Sequence, residues 1–267
     1  MTIKTVSTFW QGELTLYNQA CLLSFLHQGF EVEVYSYQNL ELPVGIILKD
    51  AHQILSKDWT RRYTHGGKSE DITAFSDLFR YQLLLTHGGM WVDADVFCLR
   101  PHRDFQDLLP QSGGRAIFAW QDNRHINTGV IISKKNHPVL HKMVTYAKEI
   151  NPILKEWGAI GPMLATDMEY RFPELLQALE PQTFYPIHYH DFAYLLLPEY
   201  YDICASKLSN SYTLHFWNAF FKTFQIPQNK LPPKGSYLHK LFCSVVPDSD
   251  TCLDLDELNY LLSPSNP

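Results

Sequence analysis

An α/β fold built on a mostly parallel sheet flanked by helices is what this sequence predicts. Three observations carry that prediction: short β-rich runs alternate with stretches of helical apolar spacing, helices stop at Gly or Gly-Gly, and two aspartates stand where one strand ends. Ile3 to Trp10 reads as the first strand, ending at Gln11-Gly12. Leu16 to Gln28 then carries Leu16, Ala20, Leu23, Phe25 and Leu26 at helical spacing before Gly29. Glu31 to Tyr37 mixes Val32, Val34 and Tyr35 with polar residues, and Gly45 to Leu48 is a short apolar run after Pro43. From Ile72, the positions Ile72, Phe75, Leu78, Phe79 and Leu83 recur at helical steps until His87-Gly88-Gly89. Met90-Trp91-Val92 enters a strand that ends in Asp93-Ala94-Asp95. Asn127 to Ser133 is another strand, and Asn136-His137-Pro138 opens a helix with Pro near its first position. Pro227, Pro232 and Pro233 mark a tail, so residues 1–225 are expected as one domain and residues 226–267 as a C-terminal extension packing on it, with 263–267 fraying.

Composition narrows the function. The 267 residues include 22 basic and 28 acidic ones for a net charge of −6, with no dense Lys/Arg run, so no nucleic-acid partner is expected. Five cysteines, odd in number and without a CxxC, argue against a disulfide framework and against a zinc knuckle. Met1 to Val6 holds one Lys and no apolar block follows, so neither a signal peptide nor a transmembrane segment is expected. Aromatic residues make up 14% of the chain, which suits a pocket for flat or polyhydroxylated ligands as well as an ordinary core.

The chemistry concentrates in Ser76 to Pro101, where a helix, a Gly-Gly stop, an apolar strand and two carboxylates follow without filler. Asp93 and Asp95 are two apart, hence on one face of an extended segment, and at a strand's carboxyl end they open into the crevice where α/β sheets bind ligands. Hard oxygen ligands in that place suit Mg²⁺ or Mn²⁺ shared with a substrate diphosphate, although a bare pair of this kind also serves as a solvated strand end. Asp77 and Arg80, three apart on the preceding helix, share a face and could hold sugar hydroxyls or form an intrahelical ion pair. As an exposed pair they would contribute only about 0.3–0.5 kcal/mol, which gives stability little reason to place them there.

With those residues, Phe9-Trp10-Gln11-Gly12, Ser76 to Tyr81, Gly88 to Asp95, Asn127, Gly161-Pro162, Phe184 to Ile187 and His215 to Asn218 run in an order and spacing that resembles the DXD-containing glycosyltransferases of family 32 and the related bacterial capsular polysaccharide transferases. The resemblance spans most of the chain. It implies a GT-A type, Rossmann-like fold, a nucleotide-sugar donor, a divalent metal and retention of anomeric configuration. By position, Asp95 resembles the direct metal ligand, Asp93 the carboxylate at the donor or metal shell, and His215 the late histidine that completes that shell. Asp77 and Arg80 resemble the pair that holds the donor sugar, and Asn127 a polar residue of the sugar site. Phe9 and Trp10 resemble the first-strand aromatics at the nucleobase, and Gly161 the turn that lets backbone approach substrate.

The resemblance favours a UDP-hexose, with galactose ahead, a saccharide or glycolipid acceptor in surface polysaccharide synthesis, and a bacterial cytoplasmic enzyme peripheral to the inner membrane. Beyond Trp217 the chain leaves the pattern of many relatives, so Lys222, Lys234 and Ser236 are only guesses for residues over the phosphates. For a carboxylate nucleophile the sequence offers Asp122 and Asp167, neither compelling, so attack on the leaving-group face is the expectation. Two rivals stand beside this reading. One is a Mg²⁺-dependent phosphohydrolase with an aspartyl nucleophile, in which the motif sits near the chain start and Asp77 and Arg80 go unexplained. The other is a catalytically silent nucleotide-sugar-binding module.

Overall fold

The computed structural model describes residues 2–66, 70–246 and 251–263. Its elements in chain order are β1 (Thr5–Phe9), α1 (Leu16–His27), β2 (Glu31–Ser36), β3 (Ile47–Asp50), β4 (Thr64–His65), α2 (Ile72–His87), β5 (Gly89–Val92), β6 (Val96–Cys98), α3 (His102–Phe105), α4 (Leu108–Ser112), β7 (Ala116–Trp120) and β8 (Ile126–Ser133). There follow α5 (Pro138–Glu149), β9 (Ile153–Leu154), α6 (Pro162–Arg171), β10 (Leu176–Leu179), α7 (Pro181–Phe184), α8 (Tyr201–Leu208), β11 (Thr213–His215), α9 (Asn218–Thr223), α10 (Tyr237–Cys243) and α11 (Leu255–Leu262).

Seven strands form the main sheet in the order β10-β7-β8-β5-β1-β2-β3. β1 runs parallel to β2 and β5, β2 to β3, and β10 to β7, whereas β8 is antiparallel to both of its neighbours. The sheet is therefore mixed and mostly parallel, with helices on both faces. Alternation along the strands decides which core each side chain enters. Val6, Met90, Val92, Val130 and Ile132 pack with α1 and the C-terminal helices, while Phe9, Trp91 and Ile131 pack with α2, α5 and α6. Strands covered on both faces read as continuous apolar runs, which is why Met90-Trp91-Val92 carries no polar residue.

Two local features aim the site. α2 begins at Asp71, whose carboxylate accepts from the backbone N–H of Thr73 and Ala74. It ends at Gly88, where φ is 70° and an added Cβ would lie 2.5 Å from the Lys135 nitrogen, so only glycine permits the sharp entry into β5. The carboxyl ends of the parallel neighbours β1 and β5 then open on one edge of the sheet, the edge that also holds the start of antiparallel β8. Beside it β6 and β11 form an antiparallel two-stranded sheet that pairs Val96 with His215.

Within the tail, Leu238, Phe242, Leu253 and Leu258 belong to the same buried cluster as Val6 and Tyr17, and the Phe242 ring stands edge-on to Tyr17 at 4.7 Å. Residues 264–267 of the expected frayed end lie outside the described residues. No helix among the described residues is long and apolar enough to cross a membrane.

Candidate active site

Asp93 and Asp95 converge for a reason other than strand alternation. β5 stops at Val92, the Asp93 N–H donates to Gly129 O at 2.8 Å, and the Val96 N–H donates to Asp93 O at 3.0 Å. The chain thus turns through Ala94-Asp95, and the extended segment expected from sequence is corrected to a tight turn between β5 and β6. Asn18 at the start of α1 holds that turn by donating its side-chain amide to Ala94 O at 3.1 Å. Pairing of β11 with β6 brings in the third group: the Phe216 N–H donates to Asp95 O at 2.9 Å, and His215 Nε2 lies 3.0 Å from Asp95 Oδ1. The Asn218 N–H donates to the other carboxylate oxygen at 2.9 Å. That contact requires Trp217 in the left-handed region, φ 58°, unusual for a bulky residue. Its indole N–H is fixed on Ile187 O at 2.9 Å and its ring lies 4.2 Å from that of His215, which holds the backbone there. One ligand atom from each of Asp93, Asp95 and His215 falls within 4.8 Å of the others.

The electrostatics follow from that packing. Burial pushes the Asp95 carboxyl up, but the charge and hydrogen bond of His215 and the Asn218 N–H outweigh it and hold the group below the usual carboxylate range. Burial likewise pushes His215 down, and Asp95 more than reverses it, so the imidazole binds its proton more tightly than an ordinary histidine. The same three side chains put carboxylate oxygen and imidazole nitrogen on offer to a divalent ion. The donor set, two carboxylates and one imidazole, fits Mn²⁺ well and Mg²⁺ less well, because nitrogen suits the softer ion.

Asp77 and Arg80 require a correction. Their ion pair exists at 3.4 Å, but both side chains are about 95% buried, so it is not the exposed pair assumed from spacing. The guanidinium reaches on to Asp93 Oδ1 at 3.2 Å and donates to Thr128 O and Oγ1 at 2.7 and 2.9 Å. Its remaining donors go to Ser76 O and Oγ. None is left over for a sugar, and the arginine is a strut that fixes Asp93. Burial pushes the Asp77 carboxyl up to about 6, even though Arg80 and the Thr128 hydroxyl draw it down. Gly161 is the other half of this arrangement: a Cβ there would lie 2.4 Å from Asp77 Oδ2, so the close backbone approach read from sequence is made to Asp77. Gly161→Ala is therefore expected to push the Asp77 carboxylate off Arg80 and lower stability by about 1–3 kcal/mol, as overpacking does, measurable by urea unfolding.

Phe9 is corrected as well: its ring is buried against Phe75 and Phe79 at 5.2 and 4.8 Å and belongs to the core. Trp10, one residue on, stays half-buried at the end of β1, with its indole N–H on Glu13 O. Asn127 spends both ends of its amide inside the fold, donating to Gln121 Oε1 at 2.8 Å and accepting from the Gly129 N–H at 2.6 Å. Ser236 is fully buried and caps α10 by accepting from the His239 N–H, so it is no phosphate ligand, while Lys222 and Lys234 are exposed. Asp122 accepts from the N–H groups of Arg124 and His125 in a turn, and Asp167 pairs with Arg171 on the surface of α6. Sequence reasoning missed Trp91, whose indole N–H donates to Asp93 Oδ1 at 2.9 Å, and Tyr185, whose hydroxyl accepts from the Val130 N–H at 2.8 Å. The period-two spacing of Trp91 and Asp93 was the available signal.

Comparison with known proteins bears on the family and the fold. A family model described as a capsular polysaccharide synthesis protein matches residues 62–150, and one described as an alpha 1,4-glycosyltransferase conserved region matches residues 132–245. A human alpha-1,4-N-acetylglucosaminyltransferase is 28% identical over 176 residues, covering 60% of this chain and 47% of its own length. The chain thus spans about half the length of that curated relative. Among solved structures, the WbbM bifunctional glycosyltransferase superposes with a TM-score of 0.52 at 11% identity over 97% of this chain and 51% of its own. The glycosyltransferase GlyE of Streptococcus pneumoniae superposes with a TM-score of 0.51 at 15% identity over 93% of this chain and 61% of its own. These last two likenesses speak to the fold alone. Between them the two family models reach from residue 62 to residue 245, where the chain is similar to a capsular polysaccharide synthesis protein and to an alpha 1,4-glycosyltransferase region, in line with the resemblance carried by the motifs.

Proposed function

We propose that this chain is a metal-dependent, retaining glycosyltransferase that moves a hexose from a nucleoside-diphosphate sugar to a saccharide or glycolipid acceptor. The observation that carries the reading is the meeting of Asp93, Asp95 and His215 at the sheet edge where β1 and β5 end. A divalent ion held there, Mn²⁺ or Mg²⁺, supplies Lewis-acid stabilisation of charge on the departing phosphate. Asp95 and His215 are its first candidates as ligands, and Asp93 turns its carboxylate toward the same point under the hold of Arg80 and Trp91. Trp10 at the end of β1 offers an indole face for the base, a contact of about 1–3 kcal/mol.

With Asp122 engaged in its own turn and Asp167 in a surface ion pair, neither is presented as a nucleophile, which favours attack on the leaving-group face. The donor sugar is proposed as galactose from UDP-galactose, with UDP-N-acetylglucosamine next because of the human relative's name, and a role in polysaccharide synthesis rests on the first family model.

The test is release of UDP from a panel of UDP-galactose, UDP-N-acetylglucosamine and UDP-glucose with and without Mn²⁺. At least one donor is expected to turn over with metal, to stop on adding EDTA, and to recover on excess Mn²⁺. Turnover indifferent to EDTA would overturn the metal assignment, and inorganic phosphate released from simple phosphate esters would favour a phosphohydrolase.

A further inference from the structure

The sheet edge that carries the aspartate turn also holds a cavity of about 620 Å³, within the range of about 300–1,000 Å³ usual for small-ligand sites. None of the residues assigned above to the donor or the metal lines it. β7 is antiparallel to β8, so its end at Trp120 falls where β8 begins, and β10 runs parallel to β7 and ends on the same side. Trp120 and, from α6, Tyr170 stand together in the lining, their ring centroids 6.3 Å apart and their planes tilted by 59°. Glu180 and Tyr185 follow β10 in the chain, and Lys207 comes from α8.

Two links join this cavity to the aspartate centre. Tyr185 is a wall of the cavity, and its ring stands 5.9 Å from that of His215. Gln121 is another, and its Oε1 accepts from the Asn127 amide at 2.8 Å. Asn127 in turn sits beside Asp93: a Cβ placed on Gly129 would lie 2.9 Å from Asn127 Oδ1 and 3.2 Å from Asp93 Oδ2. A molecule in the cavity is therefore separated from the aspartate centre by single side chains. The lining has what a pyranose needs. Trp120 is half-buried and Tyr170 is 68% exposed, so both rings have surface left for the apolar C–H face of a sugar. The side chains of Asn123, Glu180 and Lys207 take part in no hydrogen bond or ion pair among the described residues, which leaves donors and acceptors for hydroxyls. Asp122 and Glu180 set two carboxylates against the one ammonium of Lys207, a balance that favours a neutral sugar over a sialic or uronic acid.

We propose that this cavity seats the acceptor, an uncharged pyranose that rests on Trp120 and Tyr170 and hydrogen-bonds to Asn123, Glu180 and Lys207. The assignment of the sugar as acceptor rests on the glycosyltransferase reading above, whereas the binding of a sugar here rests on the cavity itself.

The experiment is saturation-transfer NMR on the full chain, with methyl β-galactopyranoside, methyl β-glucopyranoside and lactose as neutral probes and methyl β-glucuronide as the charged one. At least one neutral probe is expected to bind, about tenfold more weakly in Trp120→Ala and in Tyr170→Ala, the loss of one aromatic contact. Tyr170 is exposed, so its variant keeps the test valid even where Trp120→Ala unfolds. The glucuronide should bind more weakly than the glucoside, and saturating UDP with Mn²⁺ should leave the neutral probe in place. No binding of any neutral probe, equal binding by Tyr170→Ala, or tighter binding of the glucuronide would each overturn the proposal. So would displacement of the probe by UDP, which would put the sugar in the donor site. The measurement uses neither donor sugar nor turnover, so failure of the transferase reading shows separately, as glycoside binding without UDP release from any donor.

Discussion

Asp95→Asn is expected to lower Mn²⁺-dependent UDP release by about 10³-fold or more, equivalent to about 4 kcal/mol of transition-state stabilisation, while the protein stays folded. The substitution keeps the shape of the side chain and an oxygen for the Asn218 N–H, so the turn at Ala94-Asp95 has no steric reason to open. What it removes is the negative charge that faces His215 and, on the proposed reading, the metal. Steady-state rates over a range of Mn²⁺ concentrations, with circular dichroism as the control, measure it. Near-normal rates in a folded Asp95→Asn protein would remove the basis for the proposed mechanism.

Arg80→Ala should cost most in stability. The guanidinium is shared by Asp77 and Asp93, and removing it leaves a buried carboxylate at Asp77 with no cation beside it. Breaking a buried pair from one side costs about 3–5 kcal/mol, which for a chain of this size lowers the melting temperature by about 10 °C. Restoring neutrality is expected to restore much of the loss, so Arg80→Met with Asp77→Asn should be more stable than Arg80→Ala alone. The pH dependence has a definite sign. The folded Asp77 carboxyl titrates at about 6, above its ordinary value of 3.8, so the folded state holds that proton better than the unfolded chain. Stability assigned to this group therefore rises as pH falls from about 6 toward 3.8. In Arg80→Ala, where nothing offsets the burial, that recovery on acidification should be larger. Urea unfolding of both proteins across this range measures it, and a flat difference between them would refute the buried-charge account.

The contrast between these two sites shows what a sequence exposes. α2 spans Ile72–His87 as its apolar spacing and Gly-Gly stop predicted, and β5 lies where Met90-Trp91-Val92 placed it, because periodicity and glycine are local signals. Asp77 and Arg80 have the same spacing whether their helix face is wet or buried, and only the packing of Gly161 and Thr128 against them decides which. Phe9 and Trp10 are adjacent aromatics with opposite fates because strand alternation turns one into the core. His215 was visible only through resemblance, since nothing local in Leu214 to Trp217 points to an aspartate 120 residues earlier.

That distance along the chain also sets when the aspartate centre can exist. The β6–β11 ladder joins segments whose closure in an unfolded chain is entropically slow, so the imidazole reaches Asp95 only after most of the domain has assembled. A nascent polypeptide still on the ribosome displays Asp93 and Asp95 without the partner that completes them. A product truncated before Thr213 would carry the signature motif without that centre.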